Sequence, residues 1–488
     1  MISAADRDPQ NARERRRAAL VSLGCPKNQV DSELMLGRLA AEGVEIVDDP
    51  ELADTLIINT CGFIDRARAE SVEALLEAAA WKSAHPGRRV IAAGCLVQRS
   101  AAELAEELPE LDAFVGLDQI DAITAFLPTR AGRTSRTSSM KRPLPVAGPA
   151  RKLYGATQPR RRLSPPWTAY VKIAEGCDQS CAFCAIPTFR GRQRSRPVED
   201  VLDELRRLAS EGVVEANLIA QDSTGFGRDR GERDGLAELL EAIDSLDDGP
   251  AWVRVHYLYP GRISRRLLDV LRGARRVVEY IDLPLQHADA EILRRMRRPG
   301  DAQSYLEPLE QLREALPGAG VRSGFIVGFP GETDAHFAAL ARFVERAALD
   351  AAGVFTYSHE QATAALAYQD DVPAEVKRER QSALEEILAA VAHVRNEARV
   401  GSVLEVLTEG PAETAPTLIS ARWRGQAPEV DGRVLIAGAD HLPAGRLVRV
   451  RIERAEPFEL VGRLAGEVES VREPGDGPDD PSTLVARA

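Results

Sequence analysis

The chain is short of three things, and each shortage excludes a class. It has only six cysteines in 488 residues, too few for the disulfide framework of a secreted domain. It has no run of the ~18 apolar residues that a membrane-spanning helix needs. Positive charge is also short. Against 75 Asp+Glu stand 63 Lys+Arg, a formal net charge of −12, so there is no chain-wide basic field for non-specific nucleic-acid binding. Only six of those basic residues are Lys and 57 are Arg, which with the richness in Ala reads as a base-composition bias and carries no mechanism. What remains, 44% hydrophobic and 28% charged, belongs to an ordinary globular protein of about three domains.

The start of the chain loosely mimics a secretion signal, with Arg13–Arg17 ahead of Ala18–Cys25. Its apolar run is too short, and Pro26-Lys27-Asn28 follows in place of a cleavage site. A buried strand behind a frayed tail is the better reading, hence a cytoplasmic protein with no membrane association.

Three textures divide the rest. Over 17–128 apolar runs (Ala18–Gly24, Ala53–Asn59, Arg89–Gly94, Asp112–Val115) alternate with helical patterns (Val30–Glu42, Asp65–Trp81, Ser100–Glu107). Such alternation predicts a doubly wound α/β domain with parallel strands covered on both faces. The stretch 129–164, with Pro143, Pro145, Pro149 and Pro159, reads as a linker. Over 165–399 one strand–helix unit recurs six times, with runs at Thr168–Ile173, Glu215–Ala220, Trp252–Leu258, Val277–Leu283, Val321–Val327 and Gly353–Tyr357. Six units fall short of the eight of a closed barrel, so a partial (β/α)6 barrel is expected. From 400 to 468 short alternating runs split by Gly and Pro predict a small antiparallel β-barrel, with 469–488 as a loose tail.

The chemistry centres on Gly176-Cys177-Asp178-Gln179-Ser180-Cys181-Ala182-Phe183-Cys184. It follows the first barrel strand, at the carboxyl rim where such barrels keep their sites. Three clustered cysteines point to a soft metal centre. Structural zinc wants four closed ligands, and no fourth Cys or His lies nearby. A cubane of four irons held by three cysteines leaves one iron open. Cys25, Cys61 and Cys95 end the runs AALVSLGC, TLIINTC and RVIAAGC. The carboxyl ends of parallel strands share one edge, so these three can converge.

The spacing of the first trio, Phe183 before its last cysteine and the partial barrel resemble the radical SAM superfamily. That resemblance implies S-adenosylmethionine on the open iron and its reductive cleavage to a 5′-deoxyadenosyl radical. Two cysteine trios on consecutive domains followed by a small β-barrel are similar to the methylthiotransferase family. This implies two 4Fe-4S clusters, one on Cys177, Cys181 and Cys184 and a second on Cys25, Cys61 and Cys95, and a substrate-binding TRAM module at the C-terminal end. Cys25-Pro26-Lys27-Asn28, Ala220-Gln221-Asp222 and Tyr257-Leu258-Tyr259-Pro260 resemble the family's RimO branch, whereas the tRNA branch has Gln-Met-Asn after the same cysteine. The implied substrate is an aspartate β-carbon of small-subunit ribosomal protein uS12. A tRNA adenosine near the anticodon is the alternative, and a non-catalytic iron–sulfur carrier a more distant one. An electron donor such as flavodoxin or ferredoxin and a sulfur source are implied partners. One departure is His359-Glu360-Gln361-Ala362-Thr363, where Glu-Glu-Gly is expected before the Thr.

The segment 400–468 supports the protein substrate weakly, since Glu397–Val468 holds 9 Arg and 11 Asp+Glu, with no excess of positive charge to grip RNA. Gly324–Glu332 (GFIVGFPGE) resembles the superfamily segment lining the adenosyl nucleoside, which implies Ile326 and Gly328 at the cofactor beside Phe183. Gln221 and Gln286, at strand ends on the same rim, are further cofactor candidates. His256 and His287 read as structural, and Arg190, Arg192, Arg194 and Arg196 as a solvated run. No residue is assigned a catalytic role from sequence.

Overall fold

The computed structural model describes residues 16–127, 146, 148–413, 415–439 and 441–467. The expected tail, 469–488, and the part 129–145 of the expected linker lie outside the described residues.

The N-terminal unit is built of β1 (Arg17–Ser22), α1 (Pro26–Ala41), β2 (Glu45–Ile46), β3 (Thr55–Thr60), α2 (Asp65–Ser83), β4 (Arg89–Gly94), α3 (Cys95–Glu107) and β5 (Ala113–Val115). Its sheet is parallel throughout, in the order β2-β1-β3-β4-β5. Both faces are buried. Ile57 and Ile91 pack on Val30, Met35 and Leu39 of α1, while Leu56, Ile58, Val90 and Ala92 meet Leu75 and Val97 on the other side. That two-sided burial is why the strands read as unbroken apolar runs. Helix α3 starts five residues before the expected Ser100, which marks a kink inside it (φ −138°, ψ 33°).

The middle unit runs β6 (Thr168–Lys172), β7 (Ala174–Glu175), α4 (Ile186–Arg190), β8 (Arg194–Ser195), α5 (Val198–Ser210), β9 (Glu215–Ile219), α6 (Gly235–Asp244), β10 (Trp252–Val255), α7 (Arg265–Gly273), β11 (Tyr280–Gln286), α8 (Ala290–Arg295), α9 (Ala302–Ala315), β12 (Gly320–Val327), α10 (Asp334–Ala347), β13 (Ala351–Thr356) and α11 (Ala374–Glu397). Six parallel strands stand in sequence order as two triplets, β6-β9-β10 and β11-β12-β13. A single parallel bridge, Val253 to Val277, joins the triplets. This is the open, six-unit barrel. Alternate side chains such as Val171, Leu218, Val253 and Ile281 face the helices in one large core.

Strands β14 (Val403–Ala412), β15 (Ala415–Trp423), β16 (Arg433–Ala437), β17 (Leu447–Ala455) and β18 (Glu459–Glu467) close a small barrel. It is antiparallel except for β16–β18, which pair in parallel. The small barrel stands under the amino ends of the middle strands. Arg422 meets Glu215 at 2.5 Å, and Asp431 accepts from Tyr280 Oη at 2.8 Å and Arg322 Nε at 3.1 Å. Leu407, Ala427 and Leu447 pack there with Val214, Trp252 and Tyr280.

The described half of the expected linker is a tight strap. Arg160 is buried between Glu33 of α1 (2.5 Å) and Glu204 of α5 (2.8 Å). Gly37 admits it, since a Cβ there would lie 2.3 Å from the Pro159 carbonyl oxygen.

Candidate active site at the carboxyl rim

The loop bearing Cys177, Cys181 and Cys184 leaves the barrel through the short pair β7–β8. Gly176 (φ +76°) makes the turn, and a Cβ there would strike the Arg192 carbonyl. The Gln179 amide donates to Cys177 Sγ at 3.4 Å, and Gln179 Nε2 donates to Asp222 at 2.7 Å, tying the loop to the end of β9. Arg298 Nη1 stands 3.7 Å from Cys181 Sγ. Burial pushes the thiols of Cys177 and Cys184 up to about 12, so bare thiolates are disfavoured and a cationic metal centre suits them.

The second trio stands where three parallel strands of the N-terminal sheet end. Cys25 precedes α1, Cys61 follows β3 and Cys95 opens α3. Gly24 (φ +91°) lets the first two approach, because its Cβ would lie 2.9 Å from Cys61 Sγ. Asn28 donates to the carbonyls of Leu23 and Thr60 at 2.8 and 3.0 Å, which clamps the ends of β1 and β3. Cys95 is pushed up to about 12 by burial against the pull of Arg190, and Cys25 and Cys61 both bear on it. The trio therefore converges. Among the described residues no three His, Cys, Asp or Glu side chains are placed to hold one metal ion. A cubane asks for wider spacing, because each thiolate meets its own iron.

One member of the second trio packs against the segment that follows the first. Cys95 packs with Ala185 and Phe189, residues that follow Cys184 directly on the barrel loop. Arg190 Nη2 lies 3.1 Å from Cys95 Sγ and 2.8 Å from Asp31, while its Nη1 reaches Glu175 at 3.0 Å. Lys172 closes that network on Asp31 and Glu175 at 2.5 and 2.6 Å. Lys27 Nζ hangs 3.6 Å from the Tyr257 ring, across the same boundary. On the far side Arg99 and Arg68 ion-pair with buried Glu360 at 3.2 and 2.9 Å. Ala362, in the loop of Glu360, takes φ +61°, the left-handed conformation that suits the glycine expected there.

Residues 171–344 match the Radical SAM superfamily, 400–465 the TRAM domain and 17–116 the uncharacterized protein family UPF0004. The chain is 43% identical to ribosomal protein uS12 methylthiotransferase RimO of Sorangium cellulosum, over 95% of this chain and 94% of that one. The same-named proteins of Solibacter usitatus and Geobacter sulfurreducens are each 41% identical, over 96% and 93% of this chain and 100% and 99% of theirs. The chain belongs to the RimO methylthiotransferase family. It is a radical SAM enzyme, and the superfamily implies S-adenosylmethionine and a 4Fe-4S cluster. Among solved structures, the radical methyltransferase TsrM of Kitasatospora setae, with cobalamin and a [4Fe-4S] cluster bound, is similar in fold (TM-score 0.50, 15% identity, 88% of this chain and 84% of that one). Among the described residues no helix is long and apolar enough to cross a membrane.

The expected cofactor residues gather in part. Phe183 and Ile326 border one apolar cluster with Ala182, Ile292, Met296, Phe329 and Tyr357. Gly328 (φ +73°) leads on from β12, and a Cβ there would run into the Lys377 side chain. Gln221 ends β9 beside Asp222, and its Oε1 is buried without a hydrogen-bond partner. Gln286 ends β11 with φ +75°. His256 is held inside the barrel by Asn217 at 3.2 Å. His287 is fully buried and its burial pulls the imidazole down to about 3, with Nε2 lacking a hydrogen-bond partner.

The expected solvated arginine run is half wrong. Arg192 is exposed, but Arg190 and Arg196 are buried among carboxylates, because those partners arrive from other elements. Sequence reading gave no separate role to Lys27 and Tyr257, which stand in its motifs, and missed the network of Asp31, Lys172 and Glu175. A signal existed. In a chain that writes Arg nearly everywhere, three of the five described lysines (Lys27, Lys172, Lys377) are buried.

Proposed function

We propose that the chain replaces a C–H bond at the β-carbon of an aspartate in ribosomal protein uS12 with C–S–CH3. In this reading Cys177, Cys181 and Cys184 hold the cluster that takes S-adenosylmethionine, and Cys25, Cys61 and Cys95 hold a second 4Fe-4S cluster. When bound, these groups supply radical chemistry for a C–H bond too weakly acidic for a base, together with the methylthio group. The chain's own residues place and shield. Gln179 and Asp222 orient the first loop, and Arg190 sets a positive charge against Cys95. Phe183, Ile326 and Gly328 offer an apolar wall for the nucleoside, with Gln221 and Gln286 as polar contacts. Arg68 and Arg99 on Glu360 keep the N-terminal unit over the rim, which excludes water and fixes the reacting distance. The working units are 17–128, 165–399 and 400–468, joined by 129–164 and followed by the tail 469–488. The setting is the cytoplasm, with flavodoxin or ferredoxin as reductant and a separate sulfur source.

One observation carries this reading. Cys95 of one trio packs against Ala185, the residue after Cys184 of the other. Anaerobic reconstitution should load about eight irons per chain, as two cubanes require. With S-adenosylmethionine, reductant and sulfide, intact mass should show a methylthio increment on purified uS12 and no methylthio base in tRNA hydrolysates. About four irons, or a modified tRNA beside unmodified uS12, would replace this reading, the latter by the tRNA adenosine one.

A further inference from the structure

The structure describes five lysines, and four of them are ion-paired. Lys82 faces Asp112 at 2.8 Å, Lys152 faces Asp121 at 3.6 Å, Lys172 faces Asp31 at 2.5 Å and Lys377 faces Asp370 at 2.7 Å. Lys27 is the fifth. It is 8% exposed, and among the described residues no hydrogen bond or ion pair joins its ammonium to a carboxylate or a carbonyl oxygen; its Nζ lies 3.6 Å from the Tyr257 ring, and of the ionisable groups around it Cys25 bears on its charge most. A ring face offsets only part of what a buried ammonium loses in hydration.

The acids nearby are already committed, and Cys25 is taken by the second cluster in the reading above. Asp31 and Glu175 are committed to Lys172 and Arg190. Asp282 accepts from the Tyr257 amide at 3.1 Å and lies 3.6 Å from Arg322 and 3.7 Å from His256. The sulfur of Cys95 already has the guanidinium of Arg190. Tyr257 itself is held in the left-handed region, φ +61°, a conformation costly for an aromatic residue and maintained here by Asp282 and by the Ser223 amide on its carbonyl at 2.9 Å. The ring is thus aimed, and the ammonium with it, in the first turn of a 16-residue helix, whose N-terminus favours an anion. The place lies at the boundary of the N-terminal unit and the barrel, two residues after Cys25.

We infer that Lys27 binds the carboxylate of the substrate aspartate and so selects an acidic side chain for the cleft. This rests on the ribosomal-protein reading above and names the recognition element within it. An adenosine would bring no carboxylate to pair with this ammonium.

The test measures binding by the cluster-loaded enzyme of purified uS12 and of uS12 whose modified aspartate, located by mass mapping, is changed to Asn. The wild type should bind the Asp form about tenfold more tightly or better, the worth of a charge-assisted contact. Lys27→Met and Lys27→Gln should bind both forms alike at wild-type iron content, and Lys27→Arg should keep the preference. A wild type without preference overturns the inference, and that comparison needs no variant to fold. A preference that persists in Lys27→Met or Lys27→Gln overturns the role of Lys27 and leaves the ribosomal-protein reading standing. If the wild type binds neither form yet modifies tRNA, that reading falls and takes the inference with it.

Discussion

The two ends of the middle barrel are built by opposite rules. At the amino end, under the small β-barrel, the charges face partners. Glu215 takes both Arg254 (2.9 Å) and Arg422 (2.5 Å), Asp431 takes Tyr280 and Arg322, and Trp252 donates to Glu405 at 2.9 Å. Gly320 lies so close to Gly425 that a Cβ would fall 2.2 Å from its carbonyl oxygen. At the carboxyl rim the account is left open. The six cysteines are unbridged, Lys27 has a ring face in place of an anion, Gln221 Oε1 and His287 Nε2 lack hydrogen-bond partners, and Tyr257, Gln286 and Ala362 hold left-handed backbone. Unsatisfied groups and local strain persist where something from outside completes them. The division is one of charge, since Trp167 Nε1 lacks a partner and Glu429 holds left-handed backbone at the closed end too, but there the buried charges are paired; the closed end is for assembly and the open end for chemistry.

The largest effect expected from this contrast comes from removing a thiol at the open end. Cys177→Ala should abolish methylthio transfer and lower iron from about eight to about four per chain, the loss of one cubane. Stability should hardly change, so the iron-free variant and iron-free wild type should melt together. A lower melting temperature for the iron-free variant would mean that the rim is also structural. At the closed end the reverse is expected. Glu215→Ala strands two buried guanidiniums and should cost ~3–5 kcal/mol in denaturant unfolding, while chains kept folded in the cold load iron as the wild type does.

Acid sharpens the same comparison. Burial alone would raise the Glu215 carboxyl, but Arg422 and Arg254 outweigh it and hold the group at about 2, below its ordinary 4.5. A carboxyl lowered in the folded state stabilises the fold fully above its unfolded value and loses that contribution as pH falls toward the folded one. The window is therefore pH 4.5 down to about 2, worth ~3 kcal/mol for a displacement of this size. Unfolding of Glu215→Gln followed through this window should show a shallower acid limb than the wild type. Parallel limbs would place the acid sensitivity elsewhere.

How much of this was legible in the sequence follows the same division. The six barrel strands and the N-terminal sheet could be read because both have continuous apolar runs, buried against helices. The placement of Cys25, Cys61 and Cys95 at strand ends, and of Cys177, Cys181 and Cys184 on the loop that leaves the first barrel strand, followed from topology, since parallel strands deliver their carboxyl ends to one edge. The closed end was hidden. Its polar residues, such as Glu215, Asn217 and Arg254, interrupt the strands singly, and the partner of Glu215 lies 207 residues away at Arg422. The pair β7–β8 was hidden too, being only two residues per strand. Arg190 and Arg196 looked like surface because nothing local pairs with Arg190, whose carboxylates come from α1 and β7. Lys27 was quoted as part of a motif, but its isolation is a fact about distances and no string of letters shows it.

The smallest effect tests whether strain at the open end is used or merely tolerated. Ala362 (φ +61°) is exposed, whereas Tyr257 (φ +61°) is half-buried and aims a ring at Lys27. An L-residue in this region costs about 1–2 kcal/mol, part of which a glycine returns as unfolded-state entropy. Ala362→Gly should therefore stabilise the chain by ~0.5–1 kcal/mol, with iron content and methylthio transfer unchanged. Tyr257→Gly relieves the same backbone strain but should destabilise, because the half-buried ring and its hold on Lys27 go with it. Opposite signs at two equal dihedral angles separate a strained loop from a strained site. If Tyr257→Gly also stabilised, the turn at the end of β10 would be no more than a tolerated irregularity.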